Sequence, residues 1–209
     1  MQNRFTLLTK QIFFLSLLLL LMSCQKEDLA KEQNAQPLNS FSMQLNGRSW
    51  QPSQIGEDEC MRTYHGAWSE VTQNGVKKPY YTISAYRDSK ALATAQSENG
   101  LRLQITNVQK TGTYNLTGSY QQSFDSYAVF SVRKPDGTYS RYINKVNKPS
   151  FVVEVSEFIP ISGSSVTGIK GAFYGTLYNE SNSLDSLTFT RGAFTLKKVN
   201  WYNFNQCAQ

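Results

Sequence analysis

The sequence predicts an all-β domain, an antiparallel β-sandwich or an open barrel, that follows a short apolar leader. Apolar and polar residues alternate at strand spacing in several stretches, and Leu101, Leu103 and Ile105 form one of the clearest. Turn signals such as Asn74-Gly75 separate these stretches, about 8 to 15 residues apart. Little or no helical periodicity occurs outside the leader. Together these observations favour strands that pair through tight turns.

The leader, residues 1–23, has the three parts of a secretory signal peptide. A positively charged start precedes the apolar run Ile12–Met22, and the small residue Ser23 ends it. As a helix rising about 1.5 Å per residue, this run covers roughly half of a hydrocarbon core about 30 Å thick. We therefore expect cleavage before Cys24, with an uncleaved N-terminal anchor as the alternative.

The cleavage region Leu21-Met22-Ser23-Cys24 resembles the lipobox of bacterial lipoproteins. The resemblance implies a diacylglycerol on the Cys24 thiol and a further acyl chain on its amine, which anchor the chain in a membrane because two or more acyl chains bind stably. The next residues, Gln25-Lys26-Glu27-Asp28, resemble the export signal of Bacteroidota surface lipoproteins. This implies the outer face of the outer membrane; if these residues only begin a charged tether, the protein faces the periplasm.

Residues 24–40 are predicted to be the lipidated cysteine and a flexible tether, because residues 25–40 contain no aromatic and no β-branched residue. Residues 41–209 are long enough for a single all-β domain. The formal net charge of +6 falls to +4 when Arg4 and Lys10 are removed with the leader. The remaining basic residues are scattered, so the sequence predicts no nucleic-acid partner.

The first half of the domain begins with alternation at Phe41, Met43 and Leu45, and Asn46-Gly47 is a strong hairpin signal before the return strand 48–50. A polar loop is predicted over residues 51–58. Further strands are predicted within 61–71, 80–86 and 101–105, whereas residues 89–96 fit a short helix, a strand or a loop.

In the second half, strands are predicted at 126–133, 138–146 and 151–155, with a loop over 160–165. Pro135-Asp136-Gly137 predicts a type I turn with glycine in the left-handed position.

The last hairpin has Ile169, Gly171, Phe173, Gly175 and Leu177 on one face of its first strand. In its second strand, Leu187 and Phe189 have the opposite parity to Phe194 and Leu196, so both pairs face the core only if one residue is inserted. We place this β-bulge at Gly192. The Gly-x-Phe-x-Gly-x-Leu and Leu-x-Phe-x-x-Gly-x-Phe pattern resembles small Bacteroidota lipoproteins of unknown function, a resemblance that implies no activity.

Two cysteines remain if Cys24 is lipidated. An oxidising envelope favours a disulfide between Cys60 and Cys207, and two separate thiols are the alternative.

No catalytic residue, metal site or cofactor is predicted. The sequence has one histidine, His65, and alternation on a strand places it on the opposite face from Cys60. The run Glu57–Glu59 lacks the spacing of a metal site and is interpreted as a solvated acidic loop. No Gly-rich phosphate loop or hydrolase motif occurs.

Aromatic residues are frequent around one predicted hairpin. We expect an aromatic binding face formed by Tyr120, Tyr127, Tyr139 and Tyr142, or else ordinary cross-strand packing of these side chains. Separately, Asp185-Ser186-Leu187 resembles the O-glycosylation acceptor of Bacteroidota envelope proteins, which would place a glycan on Ser186.

The leading functional hypothesis is a membrane-anchored, non-catalytic binding module for a glycan or an envelope protein. The alternatives are a glycan-directed hydrolase, which needs two carboxylates across a cleft, and a carrier of an apolar ligand, which needs an apolar cavity. The sequence leaves the oligomeric state open.

Overall fold

The computed structural model describes residues 39–53, 63–88, 97–122, 124–160, 163, 166–197 and 200–201. Within these ranges the regular structure is β-strand, and the sheet curls into an antiparallel half-barrel, which confirms the predicted all-β class. The described ranges contain no helix with the length and apolarity that crossing a bilayer requires.

The strands are as follows: β1 (Asn39–Leu45), β2 (Arg48–Trp50), β3 (Tyr64–Gln73), β4 (Val76–Asp88), β5 (Ser97–Thr106), β6 (Gly112–Leu116), β7 (Tyr127–Arg133), β8 (Tyr139–Ile143), β9 (Phe151–Ile159), β10 (Gly168–Asn179), β11 (Ser186–Leu196) and β12 (Asn200–Trp201). Strand β12 was not expected from the sequence, and it pairs in parallel with β3.

Strand β10 organises the sheet because it has two partners along one edge. Residues 168–174 of β10 pair with β9, whereas Tyr178 and Asn179 pair with β8. One branch of the sheet therefore runs through β8, β7, β5, β4 and β3, and the other through β9 and β6. The opposite edge of β10 pairs with β11, which leads to β1 and β2.

Contacts across the core hold the two ends of the curled sheet together. The Tyr64 hydroxyl donates to the carbonyl oxygen of Thr195 at 3.2 Å, which joins β3 to β11. The Tyr81 hydroxyl donates to the carbonyl oxygen of Thr167 at 3.0 Å, at the entry to β10. Trp50 Nε1 donates to Asn99 Oδ1 at 2.7 Å and so links β2 to β5. These bonds give partners to polar atoms that the curled sheet would otherwise bury without a hydrogen bond.

The core is built largely from phenylalanine rings. The Phe173 ring centroid lies 5.6 Å from that of Phe41, 6.1 Å from that of Phe151 and 6.5 Å from that of Phe194. Ring pairs at such separations stabilise a core beyond the area that they bury. Much of the aromatic content is thus used in the core.

The predicted bulge is present, and against β1 it includes Gly192, because Met43 alone faces Arg191 and Gly192. Its other side pairs with β10. Phe173 pairs with Gly192 and Gly175 pairs with Phe189, so Tyr174 alone faces the two residues Thr190 and Arg191. The left-handed residue is Arg191, with φ of 49°. Gly192 has a different role, because a Cβ there would lie 2.5 Å from the Phe173 ring. The insertion places both Phe189 and Phe194 in the core, as predicted.

The predicted turns are confirmed. Asn46 and Gly47 have φ of 48° and 74°, and Asn74 and Gly75 have φ of 53° and 77°, as type I′ hairpins require. Gly137 has φ of 85°, and its amide bonds the Lys134 carbonyl at 2.9 Å. The segment 89–96 and most of the loops predicted over 51–58 and 160–165 lie outside the described residues.

Candidate binding cleft

The outer face of the sheet carries an open cleft of about 460 Å³. Strand pairing builds it in two rows. His65 of β3 lies beside Ser84 of β4, and Ser84 lies beside Arg102 of β5. One step along the strands, Tyr86 of β4 lies beside Gly100, followed by Ser131 of β7 and Arg141 of β8. Because these residues alternate with core residues such as Ala85 and Leu101, their side chains face away from the core.

One wall of the cleft is the β6–β7 loop, which contributes Tyr120. The Asn144 side chain fixes this loop: its Nδ2 donates to the Gly118 carbonyl, and its Oδ1 accepts from the Ala128 amide at 3.0 Å. Asp125 Oδ2 accepts from the Ser119 amide at 3.0 Å. These bonds hold the backbone on both sides of Tyr120 against the sheet.

Tyr120, Arg141 and Glu180 form a connected group at the rim. The Tyr120 hydroxyl donates to Glu180 Oε1 at 2.8 Å, and Arg141 Nη1 lies 3.9 Å from Glu180 Oε2. Arg141 Cζ lies 5.8 Å from the Tyr120 ring centroid, within cation–π range. Exposed pairs of this kind contribute little stability. They do orient the phenol and the guanidinium relative to each other.

The cleft is cationic and hydrogen-bonding in character. Its lining includes the guanidinium groups of Arg102 and Arg141 and the hydroxyls of Ser84 and Ser131. Among the described residues, no carboxylate belongs to the lining; Glu180 lies beside it. The described part of the chain also contains no group of three or more His, Cys, Asp and Glu residues suited to a metal ion.

His65 is on the cleft surface rather than in the core. Its ring lies edge-on to that of Tyr86, with centroids 6.2 Å apart, and it neighbours Ser84 across the strands. A Ser-His catalytic pair requires a third group that orients the imidazole, usually a carboxylate. The described lining contains no carboxylate for this role.

The four tyrosines predicted to form an aromatic face are not brought together. Tyr120 lines the cleft, and Tyr127 is buried at 5 % exposure opposite Gln104. Tyr139 and Tyr142 lie on opposite faces of β8, because they are three residues apart. Tyr142 packs against the core and donates to Asp185 Oδ2 at 2.8 Å; burial, followed by this bond, raises the pKa of its phenol.

Sequence reasoning missed Arg102, Arg141, Tyr86 and Glu180. The sequence does contain a signal for the first three residues. They occupy polar positions that alternate with core positions along a strand, as Arg102 does between Leu101 and Leu103. The remaining requirement, that β5 pairs with β7 rather than with β6, is not visible in local periodicity.

Ser186 is the first residue of β11 and is exposed. The neighbouring Asp185 is engaged, since its Oδ2 accepts from the Tyr142 hydroxyl and, at 2.9 Å, from Asn179 Nδ2. The other predicted sites lie outside the described residues: Cys24, the segment Gln25–Asp28, and both Cys60 and Cys207.

Comparison with curated proteins and with solved structures finds no match to this chain. The family described as Domain of unknown function (DUF5025) matches residues 38–197, which is well over half of the chain and spans β1 to β11. The chain therefore belongs to the DUF5025 family.

Proposed function

We propose that the protein is a membrane-anchored envelope lipoprotein whose β-domain is a non-catalytic module that binds a glycan in the outer-face cleft. The observation that carries this proposal is the composition of the cleft. Aromatic rings, guanidinium groups and hydroxyls converge in about 460 Å³, a volume within the range of small-molecule sites.

The chemistry of the lining suits sugars. The Tyr120 and Tyr86 rings offer apolar faces for the C–H side of a sugar ring. Arg102, Ser84 and Ser131 offer donors and acceptors to its hydroxyls. Because the cleft is open to solvent, it accommodates one stretch of a longer chain, as a polysaccharide at a cell surface requires.

The other hypotheses have less support from the described residues. A glycan hydrolase needs two carboxylates facing each other across the cleft, and the described lining provides none. A carrier of an apolar ligand needs an apolar cavity, whereas the Phe151 ring packs against the rings of both Phe173 and Phe189 inside the sheet. If the partner is an envelope protein instead of a glycan, no polysaccharide should bind the chain in the experiment below.

Affinity electrophoresis of the intact chain in mild detergent, through gels containing neutral and acidic polysaccharides, tests the glycan proposal. At least one polysaccharide should retard the protein. Tyr120→Ala should weaken that binding about tenfold, since a sugar-stacking ring contributes on the order of 1–2 kcal/mol. Tyr139→Ala is the matched control, because Tyr139 is 38 % exposed but does not line the cleft. Absence of retardation in every gel, or equal effects of the two variants, would refute the proposal.

The anchor has its own test. Wild-type protein should fractionate with membranes, and Cys24→Ala should be released into the soluble fraction, because acyl chains supply the anchoring free energy. Full membrane association of the Cys24→Ala variant would contradict lipidation. Protease treatment of intact cells then separates the two orientations: digestion indicates the cell surface, and protection indicates the periplasm.

A further inference from the structure

We infer that the cleft selects acidic saccharides, that is, glycans whose rings carry carboxylate or sulfate groups. This inference rests on the proposed glycan binding and specifies its ligand class. It is carried by the two guanidinium groups in the lining, Arg102 and Arg141, and by the absence of a carboxylate from the described lining.

The two arginines occupy complementary positions. Arg102 is half-buried and rises from the floor of the cleft on β5, beside Val129 of β7. Arg141 is on the rim, with 47 % of its side chain exposed. They are two strands apart and one row displaced, so their Cα atoms are roughly 12 Å apart from ordinary sheet spacings. Such a spacing lets each cation contact a different anionic group of one oligosaccharide.

Guanidinium is well suited to this task. Its planar donors match a carboxylate or sulfate bidentately, and it stays charged at any physiological pH. At the half-buried position of Arg102, reduced solvent screening strengthens its attraction to an anion. A neutral sugar offers only hydroxyls to the same donors, so its bonds lack the attraction between two full charges.

Glu180 partly neutralises the positive charge at the rim. Its carboxylate orients Arg141 and Tyr120, and it also offsets part of the positive potential there. Glu180→Gln keeps an acceptor for the Tyr120 hydroxyl and removes the negative charge. It should therefore strengthen binding of an acidic glycan a few-fold, whereas loss of an orienting contact alone would weaken that binding.

The ligand test uses two pairs that share a sugar backbone, each with one charged and one neutral member: polygalacturonate against its methyl ester, and dextran sulfate against dextran. Intact wild-type chain should bind at least one acidic member about tenfold or more tightly than its neutral partner, and rising salt should weaken that binding. A preference confined to the first pair identifies carboxylate as the recognised group, and one confined to the second identifies sulfate; both support the inference.

Variants then locate the selectivity. Arg102→Gln and Arg141→Gln should each weaken acidic binding about tenfold. Arg48→Gln is the control, because it removes the same charge from an exposed position on β2 outside the cleft. Arg102→Lys keeps the charge, so it should retain part of the binding and its salt dependence even if Arg102→Gln folds poorly.

The outcomes separate the two proposals. Equal binding of the charged and neutral members of both pairs would overturn acid selectivity and leave glycan binding standing. Equal losses in Arg48→Gln and the cleft variants would also overturn it, since only net charge would then matter. Failure to bind any saccharide would overturn the proposed function itself.

Discussion

Replacing Gly66 by alanine tests whether β3 crosses the core to lie on β11, the contact that curls the sheet. A Cβ at Gly66 would lie 2.5 Å from Cδ1 of Leu196, 3.1 Å from its Cδ2 and 3.3 Å from its Cγ. The nearest atoms all belong to this one side chain, and Leu196 is completely buried. The contact joins strands that are not neighbours in the sheet, so it depends on the tertiary fold.

The expected magnitudes follow from this geometry. Gly66→Ala should overpack the site and reduce the free energy of unfolding by about 1–3 kcal/mol. Leu196→Ala should leave a cavity and cost about 2–5 kcal/mol. In the double variant the new methyl group enters space that the leucine has vacated. The double variant should therefore lose less unfolding free energy than the two single variants together, by about 1 kcal/mol or more, within the range of measured couplings.

Urea unfolding followed by tryptophan fluorescence measures these values, since the buried Trp50 reports on the core. A change of about 1 kcal/mol shifts the midpoint by roughly 0.3–1 M. The control combines Gly66→Ala with Leu177→Ala, a buried site on β10 eight positions from Ile169, the partner of Leu196. That pair should be additive. Additivity within about 0.5 kcal/mol for the Leu196 pair as well would refute the crossing of β3 over β11.

Three further predictions concern pH, the bulge and the cysteines. Burial raises the pKa of the Tyr64 phenol well above 10, so its contribution to stability is complete below about pH 10 and is lost as pH rises toward the folded-state pKa, by about 1.4 kcal/mol per pH unit. Tyr64→Phe should show a shallower alkaline loss in urea midpoints, and parallel profiles would contradict this. Arg191→Gly should raise the free energy of unfolding by about 0.5–1 kcal/mol, because Arg191 has a left-handed backbone. Deleting Arg191 should leave a folded chain, because Phe189 and Phe194 are then four residues apart and regular alternation keeps both on the core face; loss of folding would argue against the bulge. Reductant should change the gel mobility of the denatured chain if Cys60 and Cys207 are bonded, whereas no shift and two titratable thiols would exclude the disulfide.

Local signals in the sequence predicted most of the strands. Two examples are the alternation at Leu101, Leu103 and Ile105 and the turn at Asn46-Gly47. Both patterns depend on neighbouring residues, so they can be recognised in a single sequence. The bulge could also be predicted from the sequence, because the parity change between Phe189 and Phe194 requires an inserted residue. The left-handed residue of the bulge is Arg191, although glycine is the usual residue in that conformation.

The cleft could not be predicted in the same way. Arg102 and Arg141 meet on one surface only because β7 pairs with β5 on one edge and with β8 on the other. That pairing joins segments distant in sequence, and periodicity carries no information about it. The aromatic cluster was a misleading signal for a related reason. Tyr139 and Tyr142 are close in sequence, yet alternation along β8 sends them to opposite faces.

The glycine-rich hairpin of β10 and β11 also explains how the cleft arises. Gly175 lies between the β9-paired and the β8-paired parts of β10, next to Tyr174, which faces the bulge, and has φ of 147°. A Cβ there would lie 2.9 Å from Phe151 Cα and 3.0 Å from its ring, so a larger residue would push β9 away from β10. Gly175 thus lies where β10 changes its partner from β9 to β8. Because β8 pairs with β7, and β7 pairs with β5, this change of partner places Arg141 on the same surface as Arg102.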